Sequence, residues 1–172
     1  SSDMKALEKE AKAKSLILLN EMGADPGLDH MSAMQQIDRI KAAGGELFSF
    51  KSYTGALVAP HSNTNPWGYK FTWAPMNVIL AGQGGTARYI RANKFRLLPY
   101  YRLLSITDTV EAPGGYGQLE AYANRDSLPY REKYKLEEVH TLIRGTLRVP
   151  GFCEAWHALV SLGLTDHSYK LQ

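Results

Sequence analysis

The sequence has a single cysteine, Cys153, among its 172 residues. One thiol excludes an internal disulfide and favours a reducing compartment. No apolar run approaches the ~18 residues of a membrane span, and no signal-peptide pattern opens the chain. The sequence therefore predicts a cytoplasmic protein without a membrane segment. Cys153 stands in the apolar helical stretch "GFCEAWHALVSLGL", where we predict a small core residue.

The short motifs of the common enzyme classes are also absent. The chain has no dinucleotide fingerprint, phosphate-binding P-loop, zinc-protease helix, serine-nucleophile elbow or paired-cysteine motif. The Gly-rich "AGQGGTA" (81–87) lacks the context of a dinucleotide loop, so we predict a flexible turn. The five histidines show no ligand spacing, and we predict no metal site.

The charge balance argues against nucleic acid as a partner. The net charge of +3 is small and fits an acidic small substrate or no special partner. The densest basic stretch is "ARYIRANKFR", where Arg88, Arg91, Lys94 and Arg96 recur at helix-like spacing. This spacing predicts the solvated face of a helix.

The first third of the chain has an α/β pattern. Residues 1–15 predict a helix, and "LILL" at 16–19 predicts an interior parallel strand. Because a strand before that helix is missing, we expect the chain to begin inside a larger α/β domain. Asp25 can then cap a helix that has Pro26 at its first position and that ends at Gly44 and Gly45.

The remaining chain alternates between strand and helix patterns. We predict strands within 46–55, 100–110, 114–126 and 139–149, a long polar loop at 56–68, and a final helix at about 151–162. In the aromatic block "PWGYKFTWAP", Trp67, Tyr69, Phe71 and Trp73 alternate as one face of a strand does. The element order predicts an α+β (mixed α/β) fold, with an open mixed β-sheet and helices on one side.

The predicted strand in "HTLIRGTLR" carries two charges, Arg144 and Arg148. The two-residue period of a strand puts both on one face, with Cα atoms roughly 13 Å apart. A buried guanidinium is costly unless it is paired, so both need anions. The pattern leaves open whether those anions belong to the protein or to a ligand.

Two further clusters combine groups that could act on a ligand. "DPGLDH" brings Asp25, Asp29 and His30 together after the predicted strand, either as helix-capping acids or as a ligand site at a strand end. "NRDS" brings Arg125 and Asp126 together, either as a β-turn or as an anion-binding arginine with an orienting carboxylate.

Four segments, in order along the chain, resemble the signatures of one enzyme family. "NEMGADPGLDHMSAM", "SFKSYTGALVAPHSNTNPWGYKFTW", "AYANRDSLPY" and "HTLIRGTLR" are similar to the L-glutamate-forming saccharopine dehydrogenases. The resemblance implies a Rossmann NAD(P)-binding domain followed by a substrate-binding and dimerisation domain like the C-terminal domain of glyceraldehyde-3-phosphate dehydrogenase. Residues 1–25 would be the last helix and strand of an otherwise missing Rossmann domain. Residues 26–172 would be the catalytic domain, incomplete at its C-terminus.

The resemblance also implies roles for individual residues. Arg125, Thr146, Leu147 and Arg148 would bind the substrate saccharopine. Arg144 matches the family pattern without a substrate role, and we predict that it forms a structural ion pair. Ala24, Asp25, Pro26 and Ala74 would contact NAD(P), with Asp25 as the nearest group able to help move a proton.

The implied reaction belongs to lysine metabolism. It interconverts saccharopine with L-glutamate and 2-aminoadipate 6-semialdehyde by hydride transfer at a carbon–nitrogen bond. The resemblance implies a cytoplasmic homodimer. We expect the 172-residue chain alone to be inactive, because most of the cofactor site would lie upstream.

Two positions depart from the family pattern. Thr54 stands where the family has a cysteine, and Ala74 stands where it has a serine. Two alternatives stay open: a related oxidoreductase acting on polyamine-derived imines, and a non-catalytic binding or dimerisation module, which Thr54 and Ala74 alone support. Arg125 and Arg148 favour a saccharopine dehydrogenase over the first of these alternatives, since polyamine-derived imines do not require carboxylate-binding arginines.

Overall fold

The computed structural model describes residues 2–80 and 85–168. Its helices are α1 (Ser2–Ala6), α2 (Glu8–Ala13), α3 (Leu28–Ala42), α4 (Pro75–Ile79), α5 (Tyr100–Leu103), α6 (Pro129–Lys133) and α7 (Phe152–Ser161). Its strands are β1 (Ser49–Thr54), β2 (Ala87–Arg91), β3 (Lys94–Leu98), β4 (Asp108–Ala112), β5 (Gly117–Ala123) and β6 (Thr141–Arg148). Residues 81–84 of the predicted Gly-rich turn lie outside the described residues. None of the helices in the described part is long and apolar enough to cross a bilayer.

The chain forms two compact units that divide between Gln36 and Ile37. In the first unit, α1 and α2 confirm the predicted opening helix. The next residues do not form the predicted strand: Ile17 and Leu19 are 84% and 73% exposed. A parallel strand needs neighbours to accept its backbone hydrogen bonds, and no strand of the described residues pairs with this run. The assignment of residues 1–25 to a Rossmann domain stays a prediction.

The second unit is built on one open sheet in which β6 is the central strand. Along one edge, β6 pairs in parallel with β1, from Ser49 opposite Thr141 to Thr54 opposite Thr146. Its other edge pairs antiparallel with β5 near the end of β6 and with β2 near its start. β3 and β4 extend the sheet as partners of β2 and β5. The predicted α+β fold with an open mixed sheet is therefore confirmed.

Each face of this sheet packs its own apolar cluster. Directly paired residues share a face, so Glu120, Tyr122, Arg144, Thr146 and Arg148 lie together on what we call the Arg148 face. The cluster on that face contains the buried residues Tyr69, Val78, Leu104, Phe152 and Cys153. The opposite face, which we call the Tyr53 face, carries Ala87, Tyr89, Leu98, Ala123 and Ile143.

Helices α6 and α7 contact the Arg148 face. Tyr134, directly after α6, meets Phe50 with ring centroids 5.5 Å apart, and Phe152 of α7 belongs to the cluster on that face. On the Tyr53 face, Leu103 of α5 packs against the buried cluster. The predicted final helix is confirmed by α7, and Cys153 on it is 2% exposed, as expected of a core residue.

Gly145 allows the neighbouring strands β1 and β5 to approach β6 closely. A Cβ atom at this position would lie 2.7 Å from carbons of the Tyr53 ring and would also overlap the Tyr122 carbonyl oxygen. The side chain of Tyr53 therefore lies across β6 at the one residue that has no side chain of its own. This explains a glycine inside a strand, where glycine usually weakens pairing.

The basic stretch "ARYIRANKFR" is a β-hairpin, so the predicted helix is wrong. Ala92 and Asn93 form the turn between β2 and β3 with φ angles of 50° and 61°. Both residues with positive φ make the type of two-residue turn that fits the twist of paired strands, and asparagine is favoured there. In this register Arg88 lies on the opposite face from Arg91.

Two other local predictions are corrected. Residues 66–74 form no strand: of the four alternating aromatics only Tyr69 is buried, while Trp67 and Trp73 are 40% and 56% exposed. Within 100–110, helix α5 precedes the strand β4. Periodicity over so few residues does not separate a strand face from a loop that turns one ring inward.

Candidate functional site

Arg148 lies at the end of β6 among aromatic rings. Its Cζ atom is 5.0 Å from the centroid of the Tyr69 ring, 5.2 Å from that of Phe152 and 5.9 Å from that of Tyr122. Its Nη1 donates to the carbonyl oxygen of Leu147 over 2.9 Å, and its Nε is buried without a partner. No carboxylate of the described residues forms an ion pair with it. The guanidinium is thus held by rings while its charge stays without an anion.

Tyr122 and Thr146 lie beside Arg148 on the same face. They are directly opposite each other in the β5–β6 pairing, and their hydroxyl groups are hydrogen-bonded. Burial raises the pKa of the Tyr122 phenol, while the Arg148 charge and the bond to Thr146 act in the opposite direction. Tyr122 therefore stays neutral next to a cation, with its hydroxyl already engaged.

Glu120 fixes the start of α7 next to this group. Its two carboxylate oxygens accept from the backbone N–H groups of Gly151 and Cys153 over 2.8 and 2.9 Å. The thiol of Cys153 also interacts with Glu120, and burial together with this carboxylate raises the thiol's pKa. The Glu120 carboxylate is therefore hydrogen-bonded to the start of α7, although the Glu120 backbone lies opposite that of Arg148 in the β5–β6 register.

Arg125 is presented on a rigid turn. Its φ is 46°, its side chain is exposed, and no group of the described residues contacts its guanidinium. The turn is held by backbone bonds on both sides: Arg88 N–H donates to the Arg125 carbonyl, and Ser127 N–H donates to the Arg88 carbonyl, each over 2.8 Å. Asp126 accepts from Leu128 N–H over 2.9 Å, as the turn interpretation predicts.

Ser127 joins this turn to β6. It is fully buried, and its Oγ accepts from Arg144 N–H over 2.9 Å. Asn124 N–H donates to the Arg144 carbonyl over the same distance. The turn that carries Arg125 is therefore bonded to Arg144, four residues before Arg148, which is a rise of roughly 13 Å along the strand.

Arg144 itself has an aromatic partner. Its Cζ lies 4.1 Å from the centroid of the Tyr130 ring of α6. The prediction that Arg144 and Arg148 share one face of a strand is confirmed by β6. The two differ in surroundings, since α6 contributes the ring to Arg144 whereas Arg148 is enclosed by Tyr69, Tyr122 and Phe152. The predicted structural ion pair of Arg144 stays a prediction.

Asp25 lies in a tight turn of the first unit. Gly23 N–H donates to the Pro26 carbonyl, Leu28 N–H donates to the Gly23 carbonyl, and the Asp25–Pro26 peptide is cis. Helix α3 begins at Leu28, so Pro26 is not its first residue and the predicted cap at Asp25 is wrong. Asp29 accepts from Gly27 N–H over 2.8 Å at this helix start.

Ala24, Asp25 and Pro26 are all exposed, and Asp25 has partners of its own in the structure. His30 lies 3.6 Å from Glu21 and 3.7 Å from Asp29. Of the three residues that the sequence groups together, the side chains of Asp29 and His30 are in contact.

The two positions that depart from the family pattern lie in different settings. Thr54 ends β1 directly opposite Thr146, so its side chain is on the Arg148 face. Ala74 precedes α4 and is exposed. Leu147 lies on the Tyr53 face, because it pairs with Ala121, and only its carbonyl contacts Arg148. Among the described residues no three His, Cys, Asp or Glu side chains form a metal-binding group.

The structure gathers Thr146 and Arg148 with three residues that sequence reasoning did not select. Tyr69, Tyr122 and Phe152 form the rings around Arg148. The two-residue period of "LEAYA" places Tyr122 on one face with Glu120, but its position opposite Thr146 depends on a strand pairing that the sequence does not give. Tyr69 comes from a loop far from β6 in sequence, and Phe152 begins helix α7 four residues after Arg148, so no strand period links either ring to it.

A family model links this arrangement to known proteins. The saccharopine dehydrogenase C-terminal domain matches residues 23–171 of the chain. A solved structure, apo saccharopine dehydrogenase (L-Glu forming) from Saccharomyces cerevisiae, superposes with a TM-score of 0.86 at 38% identity. That match covers 99% of this chain and 38% of the yeast chain.

Curated relatives show the same similarity. The NADP(+)-dependent, L-glutamate-forming saccharopine dehydrogenase of Schizosaccharomyces pombe is 39% identical over 165 residues, which cover 96% of this chain and 36% of the relative. The mitochondrial alpha-aminoadipic semialdehyde synthase of Rattus norvegicus is 40% identical over 164 residues, covering 95% of this chain and 18% of that protein. The chain spans about a third of the length of the saccharopine dehydrogenases it matches.

Proposed function

The chain belongs to the saccharopine dehydrogenase C-terminal domain family, and from that membership we propose that it is the substrate-binding part of an NADP(+)-dependent saccharopine dehydrogenase. The complete enzyme interconverts saccharopine with L-glutamate and 2-aminoadipate 6-semialdehyde in lysine metabolism. It belongs to the oxidoreductases that act on CH–NH groups. The names of the similar proteins support both the reaction and the NADP(+) preference.

The observation that carries this proposal is the state of Arg148. The described residues give it three aromatic rings and one backbone carbonyl, but no carboxylate. A half-buried guanidinium without an anion is suited to bind the carboxylate of a ligand, because charge-assisted bonds are stronger where water is excluded. Arg148 therefore holds one carboxylate of saccharopine.

Arg125 supplies a second cation at a distance. Its exposed guanidinium stands on the turn that Ser127 and Arg88 hold against β6 and β2. Saccharopine carries carboxylates at both ends, and two separated cations fix both the position and the direction of such a molecule. Thr146, next to Arg148 on the same face, contributes to the pocket through its hydroxyl group.

The family resemblance assigns Ala24, Asp25, Pro26 and Ala74 to contacts with the cofactor, and all four are exposed. When bound, the reduced dinucleotide supplies the hydride for the carbon–nitrogen bond. The task of this chain is to orient the imine by its carboxylates and to exclude water, and Asp25 is the group that we propose accepts or returns a proton. Most contacts to the dinucleotide belong to a Rossmann domain outside these 172 residues.

The proposal includes a cytoplasmic homodimer, and the 172-residue chain alone is expected to be inactive. Thr54 and Ala74 are the departures from the family pattern, and they bear on efficiency and cofactor contacts. They do not remove the cations that select the substrate. No observation favours a polyamine-derived imine or a non-catalytic module over saccharopine.

The test uses the full-length protein and the absorbance of NADPH formed from saccharopine and NADP(+). Arg148→Met keeps an apolar stem among the rings but removes the charge. Losing a charge-assisted bond of about 1.5–3 kcal/mol should raise the KM for saccharopine roughly 10- to 100-fold, with the KM for NADP(+) unchanged. Arg96→Met, at an exposed arginine of β3, is the matched control. An unchanged KM for saccharopine in Arg148→Met would refute the assignment.

A further inference from the structure

The rings around Arg148 contain a second polar atom without a partner. Tyr69 is 7% exposed, and its hydroxyl oxygen is buried without a hydrogen bond among the described residues. The Nε of Arg148, in the same cluster, is also buried and without a partner. Buried polar groups are nearly always hydrogen-bonded, because leaving one unpaired is costly. Two such atoms in one cluster indicate a place where a polar ligand binds.

The two phenols in this cluster differ in one respect. Tyr122 is hydrogen-bonded to Thr146, so its hydroxyl is satisfied inside the protein. The rings of Tyr69 and Tyr122 both lie around Arg148, yet the Tyr69 hydroxyl has no bond among the described residues. The Tyr69 ring lies 5.0 Å from the Arg148 guanidinium carbon. Tyr69 is therefore the phenol beside Arg148 that has hydrogen-bonding capacity to spare.

The loop that carries Tyr69 is organised to keep it in this position. Asn65 Nδ2 donates to the Tyr69 carbonyl over 2.9 Å, while Asn65 Oδ1 accepts from Trp67 N–H over 3.0 Å. Gly68 has a φ of 58°, and a Cβ atom there would overlap the side chain of Val149, the residue that follows β6. The loop thus closes against the end of β6, and the Tyr69 ring meets the Phe152 ring at 5.4 Å.

We propose that the hydroxyl of Tyr69 donates a hydrogen bond to the same substrate carboxylate that Arg148 binds, and that it is a specificity-determining residue of the enzyme. This inference rests on the proposed function. A carboxylate offers several acceptor positions, so one oxygen can take the guanidinium while the other takes the phenol. A site whose buried donors are matched in this way rejects analogues that lack the carboxylate, because the donors are then left unpaired.

The experiment compares wild type and Tyr69→Phe in the full-length enzyme, by saccharopine kinetics and thermal unfolding. Phenylalanine keeps the ring and removes only the hydroxyl. We expect the KM for saccharopine to rise roughly 10-fold, as for one lost bond to a charged group, with the KM for NADP(+) unchanged. The Tm should stay equal or rise, because the hydroxyl has no partner in the ligand-free protein. Tyr101→Phe, at a tyrosine that is 63% exposed, is the matched control and should change neither value.

A double-variant cycle gives the second measurement. If Tyr69 and Arg148 hold one carboxylate, Tyr69→Phe should raise the KM much less in the Arg148→Met background than in wild type. Fully additive effects, or an unchanged KM in Tyr69→Phe, would overturn this inference alone. A lower Tm with an unchanged KM would do the same, by revealing a structural partner. Absence of saccharopine turnover in wild type would instead overturn the proposed function, and this inference with it.

Discussion

Replacing Ser127 by alanine should destabilise the second unit by about 1–3 kcal/mol. Ser127 is fully buried, and its Oγ accepts from the N–H of Arg144 inside β6 over 2.9 Å. Alanine removes this acceptor and leaves a strand N–H without it, which costs the desolvation of that group. For a chain of this length, each kcal/mol corresponds to a Tm change of about 2–4 °C. The measurement is urea unfolding of the purified chain, followed by tryptophan fluorescence.

The control replaces a serine whose hydrogen bond is exposed. Ser105 Oγ donates to the Arg102 carbonyl over 2.8 Å at the surface, so Ser105→Ala should change the free energy of unfolding by less than about 0.5 kcal/mol. Because the same turn presents Arg125, Ser127→Ala should also raise the KM for saccharopine in the full-length protein. A Ser127→Ala chain with a wild-type urea midpoint and slope would refute the reasoning.

Two other changes test the sheet and its last helix. The pKa of Tyr53 is raised to about 12, by burial first and then by Asp108, so folding favours the neutral phenol and stability is lost as the pH rises from about 10 to 12. Over that range wild type should lose stability more steeply with pH than Tyr53→Phe, as measured by urea midpoints, and equal slopes would contradict this. Glu120→Ala removes the acceptor of two N–H groups at the start of α7 and should lower the free energy of unfolding by about 1–2 kcal/mol. Glu154→Ala, at an exposed acid of the same helix, should lower it by less than about 0.5 kcal/mol. Equal thermal stabilities of these two variants would argue against the capping role.

The strand β6 and its two arginines could be predicted from sequence because the pattern is local. Eight residues of apolar and polar alternation are enough to place Arg144 and Arg148 on one face. What local pattern could not supply is the difference between them. That difference comes from Tyr130 of α6 at one position and from Tyr69 and Phe152 at the other, which reach β6 only through the tertiary fold.

Two of the wrong secondary-structure predictions also have physical causes. The three-residue repeat of Arg88, Arg91 and Lys94 predicts a helix where the structure has the hairpin of β2 and β3. Asn93 is the single residue of this stretch that indicates a turn. The run at 16–19 has the composition of a strand, but composition cannot supply pairing partners. The substrate and its arginines came from the resemblance to a family, which carries information that spacing lacks.

The central position of β6 has a consequence for how this chain is made on the ribosome. β1 finds its parallel partner only when Thr141 and the residues after it have been synthesised, and the same strand joins β2 to β5. β1 therefore waits without a strand partner, and the β2–β3 and β4–β5 hairpins stay separate, until one late segment emerges. We expect nascent chains that end before residue 141 to leave β1 fully open to hydrogen exchange. Chains that extend past α7 should protect it in a single cooperative step.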